Sequence, residues 1–91
     1  MFDDLIKIAE NEQAIFYVNS MTKGVEDYAK RNAKDNKVDL GNLKCLLAES
    51  KETGAKEYVL IQNNEYIFAT HGYEDVGCHI DMMILDAQLE E

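Results

Sequence analysis

Tyr58-Val59-Leu60-Ile61-Gln62-Asn63-Asn64-Glu65-Tyr66-Ile67-Phe68-Ala69 is the stretch from which the fold is read. Two apolar runs flank Asn63-Asn64, and asparagine tolerates positive φ better than most residues, so the pair suits a two-residue hairpin turn. In the register that this turn sets, Ile61 faces Tyr66 and Val59 faces Phe68, while Tyr58, Leu60, Ile67 and Ala69 lie on the other face. Both faces are apolar. A hairpin with one side in water alternates apolar and polar residues. This one must be covered on both sides, extended by a third strand, or used as an interface.

The segments on either side of the hairpin carry helical spacing. Leu40, Leu43, Leu46, Leu47 and Ser50 predict a helix over roughly 40–53, with Asp39 as its N-cap and Gly54 as its stop. Phe2, Leu5, Ile6 and Ala9 predict a short helix over 2–10. Between these two, Ala14, Tyr17, Val18, Met21, Val25, Tyr28 and Ala29 fall on one stripe at about 100° per residue, which favours a long helix from about 12 to 34. Gly24 inside it is unfavourable by roughly 1 kcal/mol relative to Ala. The alternative is a strand at 14–18 followed by a helix capped by Ser20. Residues 71–77 read as a loop and 78–89 as a last helix. That helix has one apolar stripe of Val76, Ile80, Met83, Ile84 and Ala87 and a second of Met82, Leu85 and Leu89. The expected fold is therefore α+β: three to four helices packed around a β-hairpin, with a possible third strand at 14–18, in one compact domain over 1–91.

The composition narrows the function. Apolar residues make up 46% of the 91, enough to bury a modest core and offset the entropy of ordering. No run approaches the ~20 apolar residues of a membrane span. The N-terminus Met1-Phe2-Asp3-Asp4 is acidic at once, unlike a secretory or transit peptide. The chain is therefore expected to be cytoplasmic, with Cys45 and Cys78 as reduced thiols. Net charge is −9, and all nine bases lie between Lys7 and Lys56. Residues 57–91 contain no Lys or Arg but hold Glu57, Glu65, Glu74, Asp75, Asp81, Asp86, Glu90 and Glu91. This balance disfavours direct nucleic-acid binding, which needs cations to displace counterions. The basic residues Lys30, Arg31, Lys34 and Lys37 are interleaved with acids and read as an ordinary helix surface.

Both histidines fall in His71-Gly72-Tyr73-Glu74-Asp75-Val76-Gly77-Cys78-His79-Ile80-Asp81. His71, Cys78, His79 and Asp81 are transition-metal ligand types, but their spacing matches no zinc pattern, so no metal or other cofactor is assigned. A Cys–His nucleophile pair lacks a supporting motif, and a chain this short rarely encloses a deep pocket. No catalytic residue is assigned, and the chain reads as a non-enzyme.

What remains is an acidic last third combined with surplus apolar surface. Together they predict an inhibitor or regulator that binds another protein, one with a basic nucleic-acid-binding surface, such as a nuclease. Carboxylates that mimic DNA phosphates would steer the encounter, and central apolar contacts would hold the complex. By composition alone this is the logic of phage anti-CRISPR and anti-restriction proteins. The expected interface comprises Glu57, Glu65, Tyr66 and Phe68 on the hairpin and Tyr73, Glu74 and Asp75 beside it. Asp81, Met82, Leu85, Asp86 and Leu89 on the last helix complete it. The alternatives are a homo-oligomeric module, a possible homodimer through the hairpin or last helix, and a metal sensor centred on 71–81.

Overall fold

The structure, a computed structural model, describes residues 4–90. Its elements are β1 (Ile6–Glu10), β2 (Ala14–Val18), α1 (Ser20–Asp35), β3 (Leu43–Ser50), β4 (Lys56–Gln62), β5 (Glu65–Thr70) and α2 (Tyr73–Leu89). The strands form one antiparallel sheet in the order β1-β2-β3-β4-β5. The fold is α+β as expected, but not three to four helices around a hairpin: it has five strands and two helices.

Three of the expected helices are corrected. Residues 6–10 pair with β2 as an edge strand, and the first residues of the expected 2–10 helix, Phe2 and Asp3, lie outside the described residues. The segment 14–18 is a strand, and the helix starts only at Ser20. Residues 43–50 are the central strand rather than a helix. In 14–18 and 43–50 both sides of the strand are apolar, so the period of two that marks a strand is lost; 6–10 is a short edge strand interrupted by a bulge at Ile8.

α1 begins where its capping chemistry dictates. Asn19, not Ser20, is the N-cap: its Oδ1 accepts from the Thr22 N–H at 2.9 Å. Thr22 Oγ1 accepts in turn from the Asn19 N–H, also at 2.9 Å, which closes a reciprocal capping box. The far end is closed by a Schellman motif. The Val38 N–H donates to the Ala33 carbonyl and the Lys37 N–H to that of Lys34, with Lys37 in the left-handed region at φ 57°.

The hairpin forms as read. Asn63 and Asn64 both take positive φ, 52° and 69°, and Gln62 pairs with Glu65. Ile61 does face Tyr66, but a β-bulge at Ile67 shifts the rest. Phe68 faces Leu60, and Val59 faces Ala69. The turn is locked to the loop before β3, where Asn63 Oδ1 accepts from the Asn42 N–H at 3.0 Å. Gly41 at φ +70° lets the two pass; a Cβ there would lie 2.7 Å from Asn63 Oδ1.

Both helices pack on the same face of the sheet. That face presents Leu43, Cys45 and Leu47 from β3 and Tyr58 and Leu60 from β4. They meet Val25, Ala29 and Ala33 of α1 and Val76, Ile80 and Ile84 of α2 in one buried cluster. β2 ends at Val18, so β3 loses its neighbour before its own N-terminal half begins. There Glu26 of α1 takes over: its carboxylate accepts from the Cys45 N–H at 2.9 Å. No helix is long and apolar enough to cross a membrane among the described residues.

Candidate functional site

α2 is apolar on two opposite sides. Val76, Ile80 and Ile84 are buried against the sheet and α1, with Met83 half-buried beside them. About 180° around the helix, Cys78, Met82, Leu85 and Leu89 follow the spacing i, i+4, i+7, i+11. All four are exposed: Met82 by 56%, Leu85 by 47% and Leu89 by 76%. Carboxylates border this stripe on both sides, Glu74 and Asp81 on the margin toward α1 and Asp75, Asp86 and Glu90 on the other. The helix starts at Tyr73, within the stretch expected to be loop, and so Glu74 and Asp75 sit in its first turn, where the helix dipole favours negative charge.

Neighbouring elements fix several of these side chains. Asp81 Oδ1 accepts from the Tyr28 hydroxyl of α1 at 2.7 Å, which raises the pKa of that phenol. Asp75 Oδ2 accepts from Thr70 Oγ1 at 3.1 Å at the end of β5. His79 stacks on Phe68 with ring centroids 4.1 Å apart, and Tyr73 packs edge-on against Tyr58 at 5.4 Å. Between α1 and α2 an open groove of about 310 Å3 is lined by Gly24, Tyr28, Arg31, Tyr73, Glu74 and Gly77. The ion pairs formed among the described residues join Glu10 to Lys7 and Lys51, Glu49 to Lys56, and Glu57 to His71. No carboxylate of α2 takes part in them.

The twelve residues expected at an interface separate into three groups. Tyr73, Glu74, Asp75, Asp81, Met82, Leu85, Asp86 and Leu89 share α2, and all are exposed. Glu57 and Tyr66 lie on the face of the sheet away from the helices, and Glu65 follows the hairpin turn at the end of the sheet. Phe68 is half-buried on the helix-covered side. The acids of the last third therefore do not share one face, but four of them lie on α2 and a fifth, Glu90, is its C-cap.

The cluster 71–81 is dispersed. His71 Nδ1 lies 3.0 Å from the Lys56 carbonyl and its Nε2 3.3 Å from Glu57. His79 faces Phe68, and Cys78 faces outward. Among the described residues no three His, Cys, Asp or Glu side chains converge to hold a metal ion. The other thiol, Cys45, is fully buried, and that burial, together with the Glu26 carboxylate, pushes its pKa up to about 12.

Sequence reasoning read the hairpin as apolar on both faces but missed that its second face continues across the whole sheet. The helix-free face of the sheet carries Ile6, Phe16, Val18, Leu46, Val59, Ile61 and Tyr66. The available signal was the adjacency of Leu46 and Leu47, two large apolar residues that a strand must send to opposite faces. Comparison with protein-family models, with curated proteins and with solved structures found no match for this chain.

Proposed function

We propose that the protein is a binding protein that inhibits or regulates a partner by laying the outer face of α2 into a groove with an apolar floor and a basic rim. The observation that carries this reading is the exposed stripe Cys78-Met82-Leu85-Leu89 with carboxylates along both margins and no Lys or Arg in α2. Apolar anchors at i, i+4, i+7 and i+11 are the pattern of helix-in-groove recognition. Exposed carboxylates beside them speed association with a basic surface and exclude acidic ones. Basic grooves of this kind belong above all to proteins that handle nucleic acid, such as nucleases. Five carboxylates spread over about 24 Å, from Glu74 to the C-cap Glu90, are sparser than duplex DNA, which carries about one charge per 1.7 Å. The acids would therefore act as a steering field around an apolar contact more than as a copy of the phosphate backbone.

The test is capture from cell lysate at low salt, eluted with a salt gradient and read by mass spectrometry, with wild type and two α2 variants in parallel. The expected result is a basic nucleic-acid-processing protein on the wild type that leaves at moderate salt. Met82→Ser/Leu85→Ser should lose it. Glu74→Gln/Asp86→Asn/Glu90→Gln should bind it with an association rate lowered about tenfold or more and with weaker salt dependence. Equal capture by wild type and both variants would refute the reading.

A further inference from the structure

The helix-free face of the sheet is a second apolar surface, one that neither helix covers. Its middle row runs across all five strands. Ile6 pairs with Val18, Leu46 with Val59 and Val59 with Ala69, and the pairing of Tyr17 with Leu47 puts Val18 next to Leu46. Phe16 and Ile61 extend it above and below, and Ile6 and Tyr66 at its rims are 62% and 67% exposed. An antiparallel sheet that faces water usually alternates apolar-in and polar-out, and this one does not.

We propose that this face is a homodimer interface, in which two copies stack sheet on sheet about a two-fold axis that crosses the strands. Charge placement argues for a second copy and selects the axis. On β3 and β4 the face carries one cation and one anion, at opposite ends: Lys44 pairs with Ile61 at one end, and Glu57, which also lies 3.3 Å from His71 of its own chain, pairs with Ala48 at the other. A two-fold axis lying across the strands through the Leu46–Val59 row reverses the strand direction. It lays Lys44 of one copy over the Ala48–Glu57 end of its partner, and the reverse contact follows by symmetry. An axis along β3 would instead set Lys44 against Lys44, which like-charge repulsion opposes. The surface is thus complementary to itself in one orientation.

The area is sufficient. Five strands about 4.8 Å apart and about six residues long at about 3.3 Å per residue give a footprint of roughly 24 by 20 Å. That is on the order of 500 Å2 per copy and 1,000 Å2 per pair before surface relief is counted, the lower bound for a specific interface. Sheets packed face to face sit about 10 Å apart with aligned strands, so the half-buried Phe16, Val18, Leu46 and Ile61 would interdigitate as a core. Because both helices lie on the other face, this dimer leaves α2 free.

The test is the molar mass in solution by light scattering and sedimentation equilibrium, against a chain mass of 10.4 kDa. Wild type should give twice that mass at micromolar concentration. Lys44→Glu and Glu57→Lys should each weaken dimerisation tenfold or more, and the double swap should restore it to within a few-fold. The swap is decisive even if an apolar variant such as Leu46→Glu fails to fold, because both charged sites are at the surface of the sheet. Met82→Ser/Leu85→Ser should leave the dimer intact, which separates this interface from the α2 reading. A monomeric wild type, a dimer indifferent to both charge swaps, or one lost with the α2 variant would overturn the proposal.

Discussion

Leu46 and Leu47 are neighbours in β3 and live on opposite sides of the sheet. Leu47 is fully buried beneath α1 and α2; Leu46 is half-buried on a face with no helix over it. The contrast holds for whole faces. The covered face is packed by the two helices, and a helix carboxylate even supplies the partner of the Cys45 N–H. The open face is just as apolar in composition but leaves its contacts to whatever lies above it. The molecule builds one core and displays the material for a second.

The largest expected difference between the faces is chemical. With its pKa pushed up to about 12, the Cys45 thiol is ionised to about one part in ten thousand at pH 8, and it is buried as well. Cys78 lies on the outside of α2. A disulfide-exchange reagent at pH 8 should therefore modify Cys78 within minutes and Cys45 only on unfolding. Two thiols reacting alike in native protein would break the picture of a closed helix-side core. Next, Leu47→Ala should destabilise by about 2–5 kcal/mol in urea unfolding, as large-to-small changes in a core do. Leu46→Ala in dilute protein should lose about 1 kcal/mol or less, a loss that grows with protein concentration if the open face is shared between copies. Equal losses independent of concentration would erase the distinction.

The smallest effect belongs to the edge, where Glu10 of β1 pairs with Lys51 and Lys7. The hydrogen bond and charge of Lys51, then those of Lys7, hold its carboxyl down at about 2 against an ordinary 4.5. The folded-state pKa lies below the unfolded one, so the pair stabilises above about pH 4.5 and its contribution is lost as pH falls through about 2. Glu10→Gln should remove this small acid-side loss of stability in urea melts between pH 5 and 2, and 0.5 M salt should mask most of it, because the pair is exposed to solvent.

The same duality explains what the sequence disclosed. The hairpin was legible because Asn63-Asn64 states a turn chemistry independent of what lies on either face. α2's buried stripe and its surplus stripe were legible because a helix seventeen residues long repeats its period four times. β3 was not. Leu43 and Leu47 belong to the covered face and Leu46 to the open one, and the two alternations interleave into i, i+3, i+4, the signature of a helix. Leu, Lys and Ala in that segment are also good helix formers, and pairing with strands on both sides overrode that preference. β1 failed for a related reason: it is a short edge strand whose five residues are all exposed, with a bulge at Ile8. The eight interface residues on α2 came together because one helix carries them. Phe68 went to the covered face because a bulge at Ile67 lies beyond what alternation can foresee.

The Glu26 carboxylate stands where a strand carbonyl would stand had β2 run longer. Backbone ladders open only when strands separate, but this link opens when a helix lifts. The amide proton of Cys45 thus sits in the centre of the sheet while its exchange with solvent is gated by α1. A single exchange rate at that position reports the docking of a whole helix, separately from the integrity of the strands beneath it.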